Sequence, residues 1–141
     1  MKAPVDSIRV SQQGREQLIK LKRQTGIENW NILCRWAFCC SLRERVAPPT
    51  VEISTEGGVE MTWKVFAGEQ ADSYAALVHK RAVVDGFAND PDGVSACLRA
   101  HLHRGLGYLA SEVGNNGIAG FVERWLMNRR PDNAFCERSD G

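Results

Sequence analysis

The sequence predicts a mainly α-helical fold that opens with a strand-helix-helix segment, continues through a β-hairpin and closes in a helical part. Three observations predict it. Apolar residues recur every three to four positions in separate stretches: Leu18 and Leu21; Trp30, Leu33, Ala37 and Cys40; Val94, Leu98, Leu102, Leu106 and Leu109. That spacing builds one face of a helix. Strict alternation occurs in only two places, residues 7–11 and 51–65, and the second is centred on Gly57-Gly58. Glycine and proline clusters separate the stretches, notably Gly26, Pro48-Pro49 and residues 114–117.

In residues 7–11, Ile8 and Val10 point one way and Ser7, Arg9 and Ser11 the other, which gives a short half-buried strand. Ser11 is placed to cap the next helix, since its hydroxyl can accept an orphan N–H. The capping box is incomplete, because Gly14 stands where Glu or Gln would answer it. Leu18 and Leu21 are the inward positions of this helix, and Gly26 is its left-handed stop. The second helix starts near Asn29 and is apolar over a wide face, which suits the centre of a core or of a subunit interface. Pro48-Pro49 cannot continue it. Two alternating runs around Gly57-Gly58 predict a hairpin of residues 51–65, with Glu52, Glu56 and Glu60 making it acidic. Residues 69–85 are helical by spacing. Asn89-Asp90-Pro91-Asp92-Gly93 forms a loop and helix entry, and a strongly amphipathic helix follows. Gly114-Asn115-Asn116-Gly117 breaks it, and residues 118–127 form a last short helix.

The chain of 141 residues fits one domain. Residues 1–127 form it, and 128–141 are polar, aperiodic and expected to be a flexible tail. No apolar run reaches membrane-spanning length. MKAPVDSIRV lacks the apolar core of a secretory signal, so a cytoplasmic protein is expected. The five cysteines (34, 39, 40, 97 and 136) form no C-x-x-C pair, so reduced thiols buried as small hydrophobes are expected.

The net charge of +1 hides a split. Before Thr50 nine Lys and Arg face four acids, a balance of +5; from Val51 onward nine face thirteen, a balance of −4. A concentrated basic region is the electrostatic footprint of a phosphate-binding protein. Lys2, Arg9, Arg15, Lys20, Lys22 and Arg23 are the candidate contacts, weighed against an ordinary solvated helix face.

The opening strand-helix-helix resembles the ribbon-helix-helix arrangement, in which a strand pairs with its equivalent from a second subunit and the ribbon enters the DNA major groove. The segment TGIENWNILCRWA would place Arg35 and Ala37 at that family's second-helix positions, with Asn29-Trp30-Asn31 in place of its Ser-x-Ser entry. Over nearly the whole chain, IRVSQQGREQLIKLKRQTGIENWNILCRWAFCCSLRE and the late HLHRGLGYLASE resemble the DndE family of DNA sulfur modification proteins. The resemblance implies a small helical protein that assembles as a homo-oligomer, a tetramer. It would bind duplex DNA, nicked duplex included, through surface lysines and arginines, beside larger phosphorothioation subunits. It carries no catalytic signature, so no enzymatic role, cofactor or metal is expected.

Two other functions compete with a DNA-binding subunit. One is a protein-interaction scaffold built on the apolar second helix and the acidic hairpin. The other is a metal-dependent nickase, for which Asp90 and Asp92 are the nearest acidic pair, although they read better as a helix cap and turn. His101 and His103 lie two apart and face apart on a helix, so they do not converge on a metal. Arg35, inside an apolar helix, is expected to snorkel or to pair at an interface. The 114–117 loop could offer backbone N–H groups to an anion, but a helix cap and turn is the plainer expectation.

Overall fold

The computed structural model describes residues 3–49, 52–54 and 56–140, the stretch 125–140 as backbone alone. Strand β1 (Ser7–Val10) leads into helix α1 (Gln12–Thr25) and helix α2 (Trp30–Leu42). Strand β2 (Val59–Thr62), short helix α3 (Trp63–Ala67), a 3-10 turn (Gly68–Gln70), α4 (Ala71–Val84) and α5 (Pro91–Asp140) follow. The mainly helical fold with its opening strand-helix-helix is as the sequence predicts.

The helix ends follow local chemistry. Ser11 Oγ accepts the Gly14 N–H at 3.0 Å, and Gly26 closes α1 at φ 76°. Asp90 Oδ1 accepts the Gly93 N–H at 2.7 Å, so Asp90 caps α5 with Pro91 at its first position.

The hairpin needs correction. β2 pairs antiparallel with β1, Ser7 opposite Thr62 and Val10 opposite Val59, not with the run before Gly57-Gly58. Ile53 and its described neighbours form no strand, and Val51 and Thr55 lie outside the described residues. Gly58 explains the outcome. A Cβ on it would overlap the Val10 carbonyl oxygen, so this glycine lets β1 close onto β2. Trp63 and Val65, expected in the strand, belong to α3, which Thr62 caps by accepting the Val65 N–H.

α2 packs chiefly against α5, and α1 also lies on α5. At the α2–α5 crossing a Cβ on Gly105 would overlap the Ala37 carbonyl oxygen, so the backbones approach as only glycine permits. Phe38, Leu33, Leu102, Leu106 and Leu109 fill this centre at zero exposure, and Phe66 stacks edge-on against Phe38. The wide apolar face of α2 is thus used largely inside the chain.

The 114–117 break is confined to one residue. Gly117 alone is non-helical (φ 71°, ψ 174°), and α5 resumes beyond it. Its backbone stays helical to Asp140, where the sequence predicts an aperiodic tail. Among the described residues, no helix is long and apolar enough to cross a membrane.

Candidate nucleic-acid interface

α1 is fixed by its inner side. Gly14, Leu18 and Leu21 are buried, which leaves Arg15, Lys20, Lys22 and Arg23 exposed. Arg15 and Lys22 are seven residues apart and lie almost on one line, two turns or about 10 Å apart. Arg23 and Lys20 fan out to one side of that line, with Glu16 among them. None of the four basic side chains has a carboxylate partner within ion-pair distance among the described residues. Lys22 and Arg23 also stand in the last turn, where cations favour the carbonyl end of a helix.

The other two candidates stand differently. Arg9 Nε donates to Glu60 Oε2 at 2.6 Å across the β1–β2 pair, with side chains 64% and 52% exposed. Its charge is therefore partly answered within the protein. Lys2 lies outside the described residues. The start of α1 is tied to α5, because the Ser11 N–H donates to His103 Nε2 at 2.9 Å while His103 Nδ1–H donates to the Arg99 carbonyl at 2.7 Å.

Arg35 serves the fold. It donates from Nη1 to the Phe66 carbonyl at 3.0 Å and anchors α3 on α2. Burial pushes the thiols of Cys34, Cys40 and Cys97 up to about 12, and that of Cys39 upward as well. Such thiols stay protonated and are poor nucleophiles. Nothing is described of the Cys136 side chain.

The most developed polar structure is one the sequence did not reveal. Ser41, Asp85 and His101 form a relay in the core. His101 Nε2 lies 2.6 Å from Asp85 Oδ2, and His101 Nδ1 lies 2.8 Å from Ser41 Oγ. Arg104 Nε donates to Ser41 Oγ at 2.8 Å, and Arg81 Nε donates to Asp85 Oδ1 at 3.0 Å. An ionised carboxylate can only accept, so Nε2 carries the proton, and Nδ1 of the neutral ring is left as the acceptor. Ser41 O–H donates to Nδ1, and Nε2–H donates to the carboxylate. Burial, the largest influence, holds the His101 pKa below its ordinary value, and the neutral ring suits both bonds.

Serine, histidine and carboxylate in line invite comparison with a hydrolytic triad. Here Ser41 and His101 have zero exposure, so no substrate reaches the hydroxyl. With Cys97, the same Asp85 and His101 place three possible metal ligands within 4.8 Å of one another. Every polar side-chain atom of Asp85 and His101 already has a hydrogen-bond partner. A metal there would have to replace the 2.6 Å hydrogen bond between them. The i, i+4 spacing of Cys97 and His101 was a visible signal; that Asp85 and Ser41 meet them depends on the tertiary fold.

Fold and surface together define a small helical protein whose first helix carries a basic face without carboxylate partners among the described residues, over a core that buries Ser41 and His101. The chain belongs to the DndE family, whose model (DNA sulphur modification protein DndE) matches residues 7–116. The family is a component of the DNA phosphorothioation system. The crystal structure of DndE from Escherichia coli B7A, involved in DNA phosphorothioation modification, is similar with a TM-score of 0.59. That match covers 74% of this chain and 96% of that one at 23% identity, a likeness of fold. No curated protein matches the chain.

Proposed function

We propose that this chain is a DNA-binding subunit of a phosphorothioation system and holds duplex DNA by its phosphate backbone through α1. The observation that carries this is the exposed quartet Arg15, Lys20, Lys22 and Arg23, free of carboxylate partners among the described residues. Cations on a rigid helix release condensed counterions when they meet phosphates, so affinity falls with salt. Backbone contacts hold DNA without reading bases. A break in one strand leaves phosphates accessible and the duplex easier to bend, which favours nicked DNA. The subunit works without a reaction of its own, beside partner subunits that supply the sulfur chemistry. Support for this lies in the protonated thiols and the sealed Ser41–His101 pair.

The protein acts as a homo-oligomer, a tetramer, in which copies of one modest basic face add along the duplex. Leu77, Val83 and Val84 on α4 remain exposed and support further apolar contacts.

The test is a titration with intact, nicked and single-stranded DNA at low and high salt, on the parent and on the combined variant Lys20→Glu, Lys22→Glu, Arg23→Glu. Tight, salt-sensitive duplex binding, strongest when nicked and lost in the variant, is expected. Absence of binding at low salt would reassign the basic face to a protein partner.

A further inference from the structure

Arg99 on α5 is half-buried, and among the described residues its one side-chain bond is a long 3.3 Å contact from Nη2 to Ser95 Oγ. Among the described residues no carboxylate pairs with it. A guanidinium partly withdrawn from water with most of its five donors unused is an open anion receptor. It lines a groove of about 420 Å³ with Ser7, Arg9, Ser95, Ile53 and Leu98. The groove is therefore lined by two arginines and two serines around one space. Arg9 is engaged only by Glu60 in an exposed pair, which exchanges readily with a competing anion.

We propose that this groove is a phosphate site, with Arg99 as the principal donor, Arg9 as the second cation and the Ser7 and Ser95 hydroxyls as hydrogen-bond partners. A planar guanidinium fork matches the spacing of two phosphate oxygens. The groove shares only Arg9 with the basic set assigned to duplex DNA, so it does not depend on the α1 face. Its limit is also visible. Ile53 and Arg99 separate it from a second groove lined by Glu52, Asp90 and Asp92, whose negative charges oppose an incoming anion. Those acids weaken the site without occupying it.

The experiment is a titration of the full-length protein with inorganic phosphate, followed by backbone amide shifts, against chloride at matched ionic strength. Saturable shifts at Ser7, Arg9, Ser95 and Arg99 are expected with phosphate and not with chloride. Arg99→Gln should weaken phosphate binding by roughly tenfold or more, as for loss of a charged donor. Asp92→Asn should tighten it. Arg9→Gln provides a second substitution, at a largely exposed side chain, if Arg99→Gln lowers the folded fraction. Equal shifts with chloride, or unchanged affinity in Arg99→Gln and Arg9→Gln, would overturn the site whatever the α1 variant does to duplex binding. A duplex arm assigns the source. If DNA displaces bound phosphate, the site takes a backbone phosphodiester; if both bind together, it takes free phosphate.

Discussion

Two groups of cations in this chain do opposite work. Arg81 and Arg104 turn inward and engage every guanidinium nitrogen. Arg81 donates to Asp85, to the Leu42 carbonyl at 2.8 Å and to the Glu44 carbonyl. Arg104 donates to Ser41 Oγ, to the Ser41 carbonyl at 2.9 Å and to the Val46 carbonyl at 2.7 Å. Together they close the carbonyl end of α2, where a helix leaves acceptors without partners. Arg15, Lys20, Lys22 and Arg23 face outward with no carboxylate within reach among the described residues. The inner pair stabilises the fold and has little left for a ligand. The outer quartet adds little to the fold, and its charge is left unanswered by carboxylates among the described residues.

The contrast is most sharply tested at its buried end. His101→Ala should cost about 3 kcal/mol or more, because it opens a cavity and strips Ser41 and Asp85 of a buried partner. Urea unfolding measures this, and a loss below 1 kcal/mol would mean the relay is dispensable. Next comes Gly105→Ala, where the new methyl meets the Ala37 carbonyl. Strain of about 2–3 kcal/mol is expected, read as a lower midpoint with an unchanged denaturant slope. A neutral result would show that the α2–α5 crossing can relax.

Acid should act on the inner region through histidine. Burial holds both His101 and His103 below their ordinary pKa. The unfolded chain therefore takes up their protons first. Stability is fully present above about pH 6.5 and is lost as pH falls below it, by up to about 1.4 kcal/mol per pH unit for each histidine. Urea midpoints between about pH 7.5 and pH 5.5 should fall, and His103→Gln should remove part of the slope. A flat profile would place the protonated rings at ease in the fold.

The smallest effect on stability belongs to the outer group. Lys20→Glu, Lys22→Glu and Arg23→Glu together should move the unfolding free energy by less than about 1.5 kcal/mol, the sum of ordinary surface changes. The same variant should lose most of its duplex affinity. Substantial unfolding instead would show that these side chains are structural.

The helical repeats of α1, α2 and α5 were legible because each has an apolar face with period 3.6, and the two caps at Ser11 and Gly26 were written locally. The exposed candidates on α1 were legible for the same reason. What was hidden depends on distant partners. Gly57-Gly58 signalled a turn between neighbouring strands, yet Gly58 answers to Val10. Asp85 read as a helix end and Ser41 drew no reading, and only the packing of α2 and α4 on α5 brings them to His101. Arg99 gave no signal at all, since its lack of a carboxylate partner is a fact of space and not of spacing.

The pairing of β1 with β2 has a consequence for synthesis. Arg9 and Glu60, which face each other across it, are 51 residues apart. A chain emerging from the ribosome shows the first strand long before its mate exists, and the contact is slow to close because a long loop must be ordered first. Until Thr62 has left the exit tunnel, Ser7–Val10 is an exposed edge beside a helix that can already form. The nascent chain thus passes through an interval in which another molecule could pair with that strand, and a fragment ending before Val59 would remain in it indefinitely.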